Sequence, residues 1–288
     1  MSHHHHHHHS IENEKALLWA VVVNIVLTVV QIIGGVLSGS LALLADAIHN
    51  FSDAGSLIIA YYAQKISGKP ATKEMTFGYG RAQILGALIN SVSLMILGVY
   101  LIYEAWKRFA DPQPVDGLIV IGVAMVAVII DLATAWLTHK GAKDNINMRA
   151  AFIHNISDAL ASVVVIIAGV FILLYDVYWV DLIATVFISI YIMYMSVGLI
   201  KSSVKILMQA VPDDLNKIEI TEAIKAIDGV VKINDLHVWA VHDKLRSLET
   251  VIMVNTTDIK AVQSIKKEIR SLISDKFNIT HSTIEIEW

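Results

Sequence analysis

Four residues invite a chemical reading before any fold is assigned. The stretch "HNFSDAGS" begins at His49 and a near copy, "HNISDALAS", at His154, so that a histidine is followed four residues later by an aspartate twice, at Asp53 and at Asp158. Both copies lie inside long runs of Ala, Ile, Leu and Val. Residues at i and i+4 of a helix share one face about 6 Å apart, so each copy sets an imidazole beside a carboxylate. A charged group near a bilayer centre costs about 3 kcal/mol on insertion scales and normally faces a partner or water. Four such groups at matched depth ask for one shared explanation. Two imidazole nitrogens and two carboxylate oxygens close a tetrahedral shell around Zn(II), with bonds of about 2.0 to 2.2 Å, and the two carboxylates cancel the charge of the ion. Mg(II) and Ca(II) prefer all-oxygen shells and Cu(I) prefers sulfur; Co(II), Cd(II), Ni(II) and Fe(II) stay compatible. The competing reading is helix-packing glue, which does not require the same pattern twice. Asn50, Ser52, Asn155 and Ser157, inside the two motifs, are expected to hydrogen-bond to the ligands or to adjacent helices.

The elements that must position these residues are membrane spans. Of 288 residues, 55% are hydrophobic and 17% charged, against about 25% charged in a soluble domain. The net charge of -4 argues against a nucleic-acid binder. With no cysteine, a disulfide framework and a thiolate metal site are both excluded. The opening "MSHHHHHHHS", residues 1–10, reads as an expression tag and is set aside. A bilayer core needs about 20 mostly apolar helical residues, and six windows meet that demand: Ala16 to Leu37, Leu41 to Gln64, Gln83 to Trp106, Leu118 to Leu137, Ala151 to Tyr175 and Val180 to Ile200. Lys65, Lys69, Lys73 and Arg81 follow the second window, and Lys140, Lys143 and Arg149 the fourth, against Lys107 and Arg108 on the other side. The positive-inside rule therefore places both termini in the cytoplasm.

Residues 11–207 are thus expected to form a six-helix transmembrane domain and residues 208–288 a cytoplasmic domain. In the tail, a helix capped near Asp213 and Asp214 and stopped at Gly229 precedes two alternating strands, a second amphipathic helix and a final strand "STIEIEW". The order α, β, β, α, β predicts a small α+β sandwich, its helices covering one face of a three-stranded sheet.

Other polar residues inside the spans are ambiguous. Asn24, Gln31 and Asn90 could line a pathway, with interhelical glue the somewhat favoured reading; Asp131 is read as either a proton-handling group or a buried partner of a neighbouring helix, and Asp46 as an entrance to the site. In the tail, His237 and Trp239 share one strand face, Glu285 and Glu287 share another, and His281 begins the last strand. Should the first and last strands pair, His237, His281, Glu285 and Glu287 would converge into a second, regulatory metal site. His139 and His242 are read as bystanders.

Together, "SGSLALLADAIHNFSDAGSLIIA", "HNISDALASVVVIIAG", "FGYGRAQILGALIN" and "DLHVW" with "HSTIEIE" resemble the cation diffusion facilitator family of divalent-metal/proton antiporters, in particular its zinc-transporting bacterial members. The resemblance runs over essentially the whole untagged chain. It implies a homodimer joined partly through ferredoxin-like, metallochaperone-like cytoplasmic domains. It also implies export of Zn(II) from the cytoplasm by alternating access in exchange for protons, across a bacterial inner membrane. The family's transport site, carried over, falls on His49, Asp53, His154 and Asp158. Some relatives place another metal site between spans two and three; here "SGKPATKEMTFGYG" has Tyr79 where a histidine would stand, and no such site is expected. A full cytoplasmic cluster is questioned by "LETVIMV", a second strand without histidine.

Rival classes make distinct demands. A metallohydrolase needs an open coordination position and a general base, and no HExxH occurs, so no enzyme is expected. A membrane metal sensor would bind without translocating, and a channel would not pump against a gradient.

Overall fold

The computed structural model describes residues 8–139, 146–242 and 245–288. Part of the leading histidine tract, Lys140, Lys143 and the tip of the tail's polar turn therefore lie outside the described residues. Six long helices come first: α1 (His8–Ser38), α2 (Leu41–Ser67), α3 (Ala82–Ala110), α4 (Gly117–His139), α5 (Ile146–Tyr175) and α6 (Trp179–Leu207). Each contains one expected window and extends past it into polar sequence. Among the described residues, α3, α4, α6 and the Phe152–Tyr175 stretch of α5 are long and apolar enough to cross a membrane, and α1 contributes a shorter apolar run, Val22–Ser38. The 27 residues of α2 reach about 40 Å at 1.5 Å per residue. Its lower hydropathy comes from Asp46, His49, Asn50 and Asp53, the residues of chemical interest.

The chain divides into two compact units, one running up to Ile58 and resuming over Asn90–Val197, the other formed by Ile59–Ile89 with Gly198–Trp288. In the first unit the core is built from Ala42, Leu43 and Ala45 of α2, Val120 and Ala124 of α4, Val165, Ala168 and Ile172 of α5, and Ile188 and Ile192 of α6. Small residues let helices approach where no hydrophobic effect drives them together. At Gly117 an added Cβ would stand 2.7 Å from the carbonyl oxygen of Gly169, so α4 and α5 meet backbone to backbone there. The α1–α2 connection turns at Gly39, with φ +75°. The first turn of α2 is capped twice. Ser40 Oγ accepts from Leu43 N–H at 3.0 Å, while the buried carboxylate of Asp181 on α6 accepts from Leu41 N–H at 2.8 Å and from the Ser40 hydroxyl. A carboxylate at a helix N-terminus faces the positive end of the dipole, so Asp181 pins the start of the helix that carries His49 and Asp53.

In the second unit, α7 (Lys217–Lys225), β1 (Val230–His242), β2 (Leu245–Val254), α8 (Ile259–Phe277) and β3 (His281–Glu287) follow the expected order. The sheet order is β1-β2-β3, with β1 antiparallel and β3 parallel to the central β2. Ile265, Ile269, Ile273 and Phe277 recur every four residues along α8 and pack with Ile220 and Ile224 of α7 on Leu236, Val238, Leu248, Ile252 and Ile284 of the sheet. The two helices therefore cover one sheet face. The N-cap of α7 is Asn216, whose side chain accepts from Ile218 N–H, rather than Asp213 or Asp214, which pair with Lys205 and Arg246. Gly229 closes the following turn at φ +88°.

Candidate metal centre

The helical spacing does what the sequence demands of it. On α2, His49 and Asp53 face α5, and on α5, His154 and Asp158 face back. His49 Nε2 lies 3.2 Å from Asp158 Oδ1 and 3.6 Å from Asp53 Oδ2; His154 Nε2 lies 3.2 Å from Asp53 Oδ2 and 3.4 Å from Asp158 Oδ2. Imidazole and carboxylate alternate around a ring of four. One ligand atom from each residue lies within 4.8 Å of all the others. Ligands held about 2.1 Å from the centre of a tetrahedron are about 3.4 Å apart, and the four contacts bracket that edge length. Among the described residues this is the one such group of His, Cys, Asp and Glu.

The ring is closed on one side and open on the other. His49 and Asp158 have side chains 10% and 8% exposed, whereas Asp53 and His154 reach 25% and 44%. The open members are the C-terminal one on α2 and the N-terminal one on α5, so the opening lies at one end of the helix pair. Tyr191 of α6 meets the His49 ring edge-on at 6.3 Å between centroids. Sequence alone did not single Tyr191 out, since an aromatic in an apolar span carries no motif.

Behind the ring, polar side chains tie helices together. Asn90 of α3 accepts from Ser52 at 3.0 Å and donates to Ser56 at 2.7 Å on α2. Gln31 of α1 accepts from Asn50 at 2.9 Å and donates to Asp46 at 2.7 Å, and Ser162 of α5 donates to the same Asp46 oxygen at 2.9 Å. Gln31 and Asn90 are interhelical glue, as expected. Asp46 is not an entrance: it is wholly buried and held by donors from two other helices. Asn24 is half-buried, and its carbonyl accepts from Thr28 of the same helix. Ser157 donates within its own helix, to the carbonyl of Ile153. Asp131 of α4 is 6% exposed, with Oδ2 buried and without a hydrogen-bond partner among the described residues.

The cytoplasmic candidates do not converge. His237 lies opposite Glu249 of β2, and Glu249 lies opposite Thr283 of β3, so β2 separates His237 from the last strand. His237 Nε2 pairs with Asp235 at 2.9 Å. His281 stacks edge-on against Phe77 of the α2–α3 connection, with centroids 5.5 Å apart. Glu287 accepts from Asn234, and Glu285 sits opposite Val251. His242 also meets that connection, its ring filling the space a Cβ at Gly80 would need, while Arg81 donates to the Val241 carbonyl at 3.3 Å. His139 packs its ring on Phe152.

Fold and ring define a class: a polytopic helical membrane protein whose helices bring two imidazoles and two carboxylates to one point, a donor set suited to a divalent cation. Comparison with known proteins agrees. Residues 17–208 match the model of the cation efflux transmembrane domain, and residues 212–288 that of the cation efflux protein cytoplasmic domain. The chain belongs to the cation efflux family; it is a multi-pass membrane transporter and not an enzyme. A cadmium, cobalt and zinc/H(+)-K(+) antiporter of Bacillus velezensis is 35% identical over 278 residues, covering 96% of this chain and 88% of the relative. Zinc transporter ZitB of Escherichia coli is 32% identical over 289 residues, covering 100% and 91%. A solved metal-bound C-terminal domain of the CzcD transporter from Cuprividus metallidurans is 31% identical, covering 26% of this chain and 100% of that one, with a TM-score of 0.24.

Proposed function

We propose that this protein exports Zn(II), with Cd(II) and Co(II) as further substrates, from the cytoplasm of a bacterial cell across the inner membrane in exchange for protons. The alternating ring of His49, Asp53, His154 and Asp158, with its four contacts of 3.2 to 3.6 Å, carries the proposal. Its donor set is that of a borderline ion in a tetrahedral shell. Relatives whose names include zinc and cadmium support the same cargo.

The open edge supports the direction. Positive-inside orientation puts the C-terminal end of α2 and the N-terminal end of α5 on the cytoplasmic side, and Asp53 and His154 are the more exposed ligands at those ends. The ring is thus poised to load from the cytoplasm, and alternating access requires a second state open at the opposite ends.

Protons and metal compete for the same nitrogens. Zinc binds neutral imidazole only, so loading releases protons and protonation ejects the ion. The sign follows: metal affinity falls as pH falls. The cytoplasmic domain, residues 208–288, joins two copies into a homodimer on this reading.

The test is zinc flux into proteoliposomes under an imposed pH gradient, comparing the wild type with an Asp53→Ala, Asp158→Ala variant. Flux that follows the gradient and vanishes in the variant supports the antiporter. Saturable zinc binding with no gradient-driven flux contradicts it and points to a metal sensor.

A further inference from the structure

Beside the ligand ring lies a second polar cluster that binding of the ion does not use. The contacts between α2 and α5 run as a ladder: Asp53 with His154, then His49 with Asp158, then Asp46 with Ser162. Positions rise on one helix as they fall on the other, so the helices are antiparallel and Asp46–Ser162 is the next rung beyond the ring. Asp46 lies three residues before His49, and Ser162 four residues after Asp158, so each is one turn from a ligand on its own helix.

This rung is built to resist stretching. Asp46, Gln31 and Ser162 are each 0% exposed and Asn50 is 2% exposed. Asp46 Oδ2 receives two donors from two different helices, at 2.7 Å from Gln31 and 2.9 Å from Ser162. Gln31 is itself fixed by the Asn50 amide at 2.9 Å, and Asn50 is the residue next to His49. Hydrogen bonds to a charged group are the stronger kind, and breaking one in a dry site leaves a buried polar atom unsatisfied. An ion whose bonds are longer than those of zinc needs a wider ring, and parting α2 from α5 is one way to supply it. The Asp46–Ser162 rung opposes that separation one turn away.

Resting on the cargo reading above, we propose that Asp46 is a positioning residue. Through Gln31 and Ser162 it sets the α2–α5 spacing at the ring and thereby favours Zn(II) over the larger Cd(II). It touches no metal; it acts through the helices that hold His49 and Asp158.

The experiment measures zinc and cadmium binding by calorimetry, and KM and kcat of flux for both ions, on the full chain. It compares wild type, Ser162→Ala, Asp46→Ala and Asp46→Asn. Loss of the bonds that orient ligands typically costs about 10- to 100-fold in metal affinity. Ser162→Ala and Asp46→Ala are expected to weaken zinc by about tenfold and cadmium by less, with KM rather than kcat absorbing the change. Asp46→Asn, whose amide oxygen still accepts from both donors, is expected to keep the zinc-to-cadmium ratio of the wild type. A parallel fall of both ions, or an Asp46→Asn variant as impaired as Asp46→Ala, would overturn the proposal. Ser162→Ala removes one hydroxyl and no charge, so it decides the matter even where Asp46→Ala does not fold. Wild-type protein that binds both ions without gradient-driven flux would sink the transport reading, and the binding ratios would still decide the clamp.

Discussion

The chain holds two sets of two histidines and two carboxylates, and only one of them assembles. His49, Asp53, His154 and Asp158 meet within 4.8 Å. His237, His281, Glu285 and Glu287 have the same chemistry and stay apart. The difference lies in the elements that carry them. A helix presents i and i+4 on one face, so each membrane motif delivers an imidazole and a carboxylate together, and one helix contact completes the four. A strand also aligns alternate residues, but reach across a sheet depends on which strands are neighbours. Strands lie about 4.8 Å apart, and β2 runs between β1 and β3, so His237 stands about two strand spacings from the last strand, and Glu287, which does reach β1, is held there by Asn234, three residues before His237. Matching ligand types is a weaker requirement than matching geometry.

The comparison is broken most decisively at the histidines. Replacing both His49 and His154 by alanine leaves two like-charged carboxylates facing each other with no neutral donor between them. The expected result is at least about a hundredfold loss of zinc affinity, beyond the roughly 10- to 100-fold cost of losing only the hydrogen bonds that orient ligands, and loss of the pH dependence of whatever binding remains. Zinc titration over a series of pH values checks both parts. Residual binding that still weakens on acidification would mean that groups other than these imidazoles carry the exchanged protons. The single variants sharpen the picture. His49 is buried and His154 is half open to solvent, so water can replace the lost ligand more readily at His154, and His49→Ala is expected to be the more damaging.

An intermediate effect is expected where the scaffold, not a ligand, is altered. Asp181 is 0% exposed and accepts from Leu41 N–H, Ala42 N–H and the Ser40 hydroxyl. Asp181→Ala strands those donors at the start of α2, at a cost of about 1 to 3 kcal/mol. Thermal unfolding of the purified protein in detergent should show the loss. Zinc affinity should fall less than in either histidine variant, because the ring sits two turns further along. An affinity loss equal to that of His49→Ala, with unfolding unchanged, would place Asp181 in the binding machinery and contradict its role as a cap.

How far each feature was legible from sequence follows from its physical range. The convergence of His49, Asp53, His154 and Asp158 was legible because its geometry is local: a four-residue spacing repeated in two apolar runs needs only the assumption of helices. The six long helices and the αββαβ order were legible for the same reason, being written in periodicity and hydropathy. Asp46 was misplaced as an entrance because its partners, Gln31 and Ser162, are 15 and 116 residues away, and nothing in "LLADAIHN" tells a buried acceptor from a pore-lining one. Asp181 escaped notice altogether, as its partners at Ser40 to Ala42 are about 140 residues distant. Strand order decided the cytoplasmic quartet, and the spacing of His237 and Glu285 along the chain carries no record of which strand takes the centre.

The smallest effect is expected in the cytoplasmic quartet, and it tests the comparison from the other side. His237 is 63% exposed in its side chain and pairs with Asp235 on its own strand; an exposed pair of this kind contributes about 0 to 1 kcal/mol. His237→Ala with Glu285→Ala should therefore leave zinc binding stoichiometry and flux close to those of the wild type, within about twofold, the equivalent of a few tenths of a kcal/mol. His281 is different in kind, because its ring packs on Phe77, beside the contact of His242 with Gly80. His281→Ala removes an aromatic contact worth about 0.5 to 1.5 kcal/mol, and His281→Phe should restore it. A metal role predicts the opposite, since phenylalanine cannot ligate. Calorimetry of these variants in the full chain separates the two: a lost zinc equivalent in both His237→Ala and His281→Phe would mean that a second copy completes the quartet. Unchanged stoichiometry with a stability loss confined to His281→Ala leaves this histidine as part of the packing that holds the α2–α3 connection to the sheet.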